Sequence, residues 1–366
     1  MTSSADAGAY SSKAVAERSI SICMATYNGA RFLRDQLDSL ARQTRLPMEI
    51  VITDDQSSDE TAEVVAAFAR TAPFAVRFHR NETRLGYGDN FIKAVELCRG
   101  DLISFCDQDD VWMENKLEIC AETFRDPGVK LCVHSGELWE GGEERSGRRI
   151  PDYPRREAFE PCALHPLQGS YGYAMVFRRE LLQVANNHDR FCSLPGEEPM
   201  SHDRWIWFLG TIFGGVVLLP DALALYRQHG NNVMGGIATG LGDSLAGASR
   251  PRNDLQRAMI EEHAVEYLDG LAAHPLAEGT APLAHKAARI LERGAKSNRV
   301  RARIFDTDAG LPARLGAFLK LTASGGYAVP ALRSGRTGQY PRRSPMRGMA
   351  RDFAFGVFRS GSLLKR

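Results

Sequence analysis

The chain has 366 residues, 43% of them apolar and 25% charged, a soluble globular composition that excludes a wholly disordered or fibrous protein. That length exceeds one small core and fits one large domain or two of ordinary size. The net charge of +1 conceals an asymmetry, because residues 285–366 carry 18 Lys or Arg against 4 Asp or Glu, and such a tail favours an anionic surface.

Seven cysteines with no C-x-x-C pair fit a reducing, cytosolic setting. Met1 to Arg18 is small and polar with no apolar centre, so a disordered lead over residues 1–18 is expected rather than a signal peptide. The longest apolar stretch, Ile206 to Leu219, is well short of the roughly 20 residues that a spanning helix needs.

Ser19 to Ala25 alternates and is β-branched enough for a first buried strand, which breaks at Thr26-Tyr-Asn-Gly29. Leu33, Leu37 and Leu40 follow at helical spacing. Glu49 to Thr53 predicts a second strand ending in Asp54-Asp55-Gln-Ser-Ser-Asp59. Ser57 and Glu60 have the spacing of a capping box for a helix through Val64, Val65 and Phe68. Phe74 to His79 predicts a third strand, Asn81 to Gly86 a loop and Asn90 to Leu97 a third helix. A fourth strand, Leu102 to Cys106, ends in Asp107, Asp109 and Asp110.

Like charges this close raise one another's pKa, so a hard divalent cation with oxygen ligands, Mg²⁺ or Mn²⁺, is their natural partner. A solvated acidic turn is the alternative. Four strand-helix units imply a parallel sheet covered on both faces, with ligands at the carboxyl ends of its strands. That topology brings Tyr27, Asp54, Asp55, Asp107 and Asp109 to one crevice. Neither G-x-G-x-x-G after the first strand nor a phosphate-cradling G-x-x-x-x-G-K-[ST] loop is present.

Met113 to Phe124 predicts a helix and Val129 to His134 a strand. Gly141 to Arg156, rich in glycine and charge, predicts a mobile loop. Gln168 to Ala174 is either an aromatic loop facing a sugar or a turn with two core tyrosines. In Ser201-His-Asp-Arg-Trp-Ile-Trp207, Asp203 is placed to cap a helix or to face a cleft. Leu225 to Gly235 places Arg227 and His229 after an apolar strand; a histidine there is either a hydrogen-bonded loop residue or a ligand. From Gly236 the texture turns to Ala, Gly and Arg, with helical segments at Leu255 to Leu271 and Leu283 to Ala295. Arg314 to Leu321 and Met349 to Phe358 mix apolar residues with Arg and Lys, as a helix lying on an anionic membrane does. A solvated basic face is the alternative. No nucleic-acid motif accompanies the charge.

The order Ala25-Thr-Tyr-Asn-Gly29, Asp54-Asp55-Gln-Ser-Ser-Asp59, Asn81-x-x-x-x-Gly86 and Asp107-Gln-Asp-Asp110 resembles family 2 of the inverting glycosyltransferases, over Ser19 to Gly235. Ala25 stands where the family has proline. The resemblance implies an α/β GT-A fold, a Rossmann-like, mostly parallel sheet with helices on both faces. A glycosyltransferase domain at 19–235, a helical extension at 236–300 and a basic segment at 301–366 are expected.

It further implies that Thr26, Tyr27, Asn28, Asp54, Asp55, Arg84 and Asp107 hold a nucleotide-sugar, and that Asp107 and Asp109 meet Mg²⁺ or Mn²⁺, with His229 on the metal or the diphosphate. Asp203 resembles the catalytic base, which the reaction requires because an acceptor hydroxyl must lose its proton as it attacks. The Phe-Cys-Asp-Gln-Asp-Asp-Val-Trp and Tyr-Arg-Gln-His strings resemble the rhamnosyltransferase-like subgroup and imply a donor such as dTDP-L-rhamnose. The implied acceptor is a glycan or lipid-linked hydroxyl in polysaccharide or cell-surface glycan synthesis. The implied location is the cytoplasm, with peripheral contact at the inner face of the plasma membrane. A non-catalytic sugar- or lipid-binding module and a nucleotide-sugar hydrolase are the alternatives.

Overall fold

A computed structural model of the chain describes residues 18–142, 144–193, 196–230, 251–274, 279–306, 308–326, 349–350 and 352–357. The expected disordered lead up to residue 17, the Asn231 to Gly235 end of the last motif and most of the basic segment after residue 326 lie outside the described residues.

The strand-helix repeat runs β1 (Ile20–Thr26), α1 (Ala30–Ala41), β2 (Glu49–Asp54), α2 (Thr61–Ala69), β3 (Ala75–Arg80), α3 (Tyr87–Leu97) and β4 (Leu102–Cys106). β2 and β4 are buried along their whole length, as continuous apolar runs are when helices cover both faces of a sheet. Leu33, Leu37 and Leu40 form the buried stripe of α1. The capping-box expectation fails at α2. Its N-cap is Glu60 with no side-chain cap bond, because Ser57 donates its hydroxyl to the Asp54 carboxylate instead.

β5 (Val111–Trp112) follows the acidic cluster, then α4 (Lys116–Thr123), β6 (Val129–Trp139), β7 (Glu157–Phe159), β8 (Met175–Arg178), α5 (His202–Phe213) and β9 (Gly215–Arg227). The sheet order is β3-β2-β1-β4-β8-β6-β9-β5, with β7 beside β9. The first four strands are parallel, β8 is antiparallel to both β4 and β6, and β6 and β9 are again parallel. This is the mixed α/β architecture expected. α4 begins later than the periodicity suggested, because Val111 and Trp112 pair with Leu225 and Ala224 of β9.

α6 (Pro251–Ala272) and α7 (Ala281–Ile304) follow. Ala264, Leu268, Ala284, Ala287, Ala288 and Leu291 join the same apolar core as the sheet. A second, small core gathers Ile304, Ala317, Phe318, Leu321 and Val357 around α8 (Leu311–Ala323). Among the described residues no helix is long and apolar enough to cross a membrane.

Candidate active site

A cleft of about 1430 Å³ opens where β1 and β4 end, and Thr26, Tyr27, Asn28, Asp55, Arg84, Asp107, Asp109, Asp203 and His229 all line it. Asp54 is the one site candidate that does not. It is buried at the end of β2, where its carboxylate accepts Thr26 Oγ1 at 2.9 Å, Ser57 N at 2.9 Å and the Ser57 hydroxyl. Asp54 therefore braces the first two loops from beneath.

Asp55 shapes the third loop. Its oxygens accept Leu85 N at 2.6 Å, Gly86 N at 2.9 Å and Asn81 Nδ2 at 3.1 Å. Gly86 sits at φ +81°, in the left-handed region that a side chain would strain. The loop so formed lays the Arg84 guanidinium over the Tyr27 ring, 3.9 Å from its centroid. Asn28, at φ 48°, is of a type that tolerates that region, and its Oδ1 accepts Ser58 N at 2.9 Å.

Within the acidic cluster the residues divide by role. Gln108 grips the first loop through Tyr27, accepting its N–H at 3.0 Å and donating to its carbonyl at 3.2 Å. Gly29 makes room for this, since a Cβ there would meet Gln108 Oε1 at 2.2 Å. Asp107 stands on the cleft wall, and burial, with the charges of Asp109 and Asp203, pushes its pKa up to about 7. Asp109 Oδ2 lies 2.8 Å from His229 Nε2, and the His229 ring stacks on Phe32 at 4.7 Å.

Asp110 is fully buried, and its Oδ1 accepts Arg227 N at 3.0 Å. It pins the end of β9 instead of capping α4, whose N-cap is Asn115. Burial and its two acidic neighbours hold its carboxyl well above the ordinary range.

Lys116, which no sequence motif marks, is buried beside this cluster. Its ammonium donates to the Tyr173 carbonyl at 2.7 Å and sits 3.4 Å from the centroid of the Trp112 ring. Burial lowers its pKa to about 8. A lysine at the start of a helix reads as solvated, and four residues after Trp112 nothing local marked it otherwise. Tyr173 in turn stacks on Tyr226 at 4.9 Å; it is buried in the cleft wall, beside the half-buried Tyr171, which also lines the cleft.

α5 delivers Asp203. Its N-cap is Ser201, whose hydroxyl donates to Asp203 Oδ1 at 2.5 Å, and Arg204 N donates to the same oxygen at 2.8 Å. Asp203 is thus oriented by the helix start without being its cap. His202 is buried at the cleft wall, its ring stacked on Phe91 at 3.9 Å.

Among the described residues no group of three or more His, Cys, Asp and Glu side chains could hold a metal by itself. Asp107, Asp109 and His229 share one wall of the cleft and could hold a metal only together with ligands from outside the chain, Asp109 and His229 being bonded to each other. Such an open, carboxylate-led site suits a cation that completes its shell with substrate phosphates and water, as Mg²⁺ does.

Residues 21–184 match the family model for glycosyl transferase family 2. Over that stretch the chain is similar to the family 2 glycosyltransferases. The match ends before Asp203 and His229, which the geometry alone brings to the cleft. An uncharacterized glycosyltransferase of Nostoc is 28% identical to the chain over 221 residues, 58% of this chain and 66% of that protein. The dTDP-rhamnosyl transferase RfbG of Shigella flexneri is 36% identical over 99 residues, 26% of this chain and 34% of that protein. The alignments therefore span two thirds or less of these relatives. Among solved structures, Staphylococcus aureus TarS 1–349 in complex with UDP-GlcNAc has a TM-score of 0.49 at 18% identity, covering 86% of this chain and 83% of that one.

Proposed function

We propose that the protein is an inverting, metal-dependent glycosyltransferase. It moves a sugar from a nucleotide-sugar to a hydroxyl of a glycan or lipid-linked acceptor, in polysaccharide or cell-surface glycan synthesis. The observation that carries this is the convergence of Asp203, Asp107 and Asp109 on one cleft floored by the loops after β1 and β2. Tyr27 with Arg84 over its ring offers a flat, cationic platform for a nucleotide. Asp107, Asp109 and His229 are the residues to hold Mg²⁺ or Mn²⁺, which when bound neutralises charge on the departing diphosphate.

On the acceptor side, Asp203 takes the proton of the attacking hydroxyl. Ser201 and Arg204 hold its Oδ1, which fixes the orientation of the carboxylate as base. Attack from the face opposite the leaving group inverts the anomeric carbon in one displacement.

A deoxysugar donor such as dTDP-L-rhamnose is the finer reading. It is supported by the two strings shared with the rhamnosyltransferase-like subgroup and by the local similarity to the Shigella protein. The protein works in the cytoplasm, where peripheral contact with the inner face of the plasma membrane would bring it to a lipid-linked acceptor.

Incubation with a panel of nucleotide-sugars, following release of nucleoside diphosphate, tests the reading. Acceptor-dependent, EDTA-sensitive release is expected. Release without acceptor would make it a hydrolase, and binding without release a non-catalytic module.

A further inference from the structure

α8 has no polar face. Its buried side is Arg314, Ala317, Phe318 and Leu321, which pack on the small second core. Its opposite side is exposed and consists of Leu311, Pro312, Ala313, Gly316, Leu319, Lys320 and Ala323. Leu311 is 45% exposed and Leu319 57%, and the neighbouring Phe353, whose ring lies 5.1 Å from that of Phe318, is 39% exposed. A surface helix of a soluble protein turns charged residues outward, and this one turns out leucines with a single lysine. At 13 residues it is too short to span a bilayer.

The chain around it is basic in balance, although Asp306 and Asp308, just before the helix, are exposed acids. Arg293 and Arg303 on α7 are exposed, and in sequence the 22 residues that follow Ser324-Gly-Gly326 contain five arginines and no acid. An apolar face on a short helix, set in a strongly basic stretch of chain, matches the chemistry of an anionic lipid interface. There the leucines enter the acyl boundary while cations meet headgroup phosphates.

We propose that α8 lies flat on an anionic membrane, with Leu311 and Leu319 inserted and Lys320 at the headgroups. Arg314 takes no part, because its guanidinium points inward and donates to the Gly356 carbonyl at 3.1 Å. The packing of the second core leaves the cleft untouched, so the helix docks the enzyme without entering its chemistry. The inference extends the membrane side of the reading above, and its test needs no transferase activity, so the two stand or fall separately.

The test is flotation of the full chain with phosphatidylcholine vesicles, with and without phosphatidylglycerol. Binding is expected only to the anionic vesicles, falling with salt, and it should drop about tenfold or more in Leu311→Glu/Leu319→Glu. A Leu319→Trp variant supplies a second readout, because its emission should shift to the blue on anionic vesicles alone. Flotation of the double variant at the wild-type level, or an unshifted tryptophan, overturns the proposal. So does a double variant that floats normally but splits a dimer on size exclusion, which would assign the face to a second copy. RNA retention by a chain that does not float overturns it likewise.

Discussion

His202 and Asp203 are neighbours in the chain with opposite environments. His202 is sealed between Phe91 and Phe105, at 3.9 Å and 4.7 Å between ring centroids. Burial lowers its pKa to about 4, Asp203 pulls it up and Arg190 pushes it down. Its folded pKa lies below the unfolded value, so the unfolded chain binds the extra proton. The stability this contributes is complete above about pH 6.5 and is lost as pH falls toward about 4, a loss of about 3 kcal/mol. Replacing the ring with one that does not titrate, His202→Phe, should flatten that slope; denaturant midpoints near pH 7 and near pH 5 measure it. An unchanged slope would assign the acid sensitivity elsewhere. At Asp109 the expectation concerns the donor. Asp109→Ala removes a hydrogen-bond partner of His229, and calorimetry with Mn²⁺ should show loss of the metal-dependent part of nucleotide-sugar binding, leaving the metal-free part in place.

Between elements, the β4 turn and the β1 loop are joined by one amide. Gln108 makes two hydrogen bonds to the Tyr27 backbone, each contributing about 0.5–1.5 kcal/mol. Gln108→Ala should therefore raise the donor KM by about tenfold with a smaller change in kcat, measured by steady-state diphosphate release. The strand-loop-helix units before this turn were legible because apolar periodicity and turn residues alternate so regularly there. Less of the second half was legible. β5 spans two residues and β7 three, too short to carry a period, and the insertion of β8 between β4 and β6 is set by contacts remote in sequence. Of the site residues, the cleft position of Asp107, Asp109 and Asp203 follows from where strands and helices end. The inward turn of Asp54 and the burial of Lys116 depend on neighbours that only the folded chain supplies.

For the whole molecule, the expected boundary at residue 236 separates segments that share one core. Leu268 of α6 is fully buried against the sheet domain's core cluster. Leu268→Ala should lower stability by about 2–5 kcal/mol in a single denaturant transition, and two transitions would show that the extension unfolds independently. The same packing sets α5 between the sheet and the extension, and α5 carries the group on which the account depends. That dependence is tested by Asp203→Asn, comparing turnover with donor affinity from calorimetry for the nucleotide-sugar that supports diphosphate release. The account predicts turnover lower by about 10²–10⁴-fold with donor affinity within a few-fold of wild type, and turnover close to wild type would contradict it.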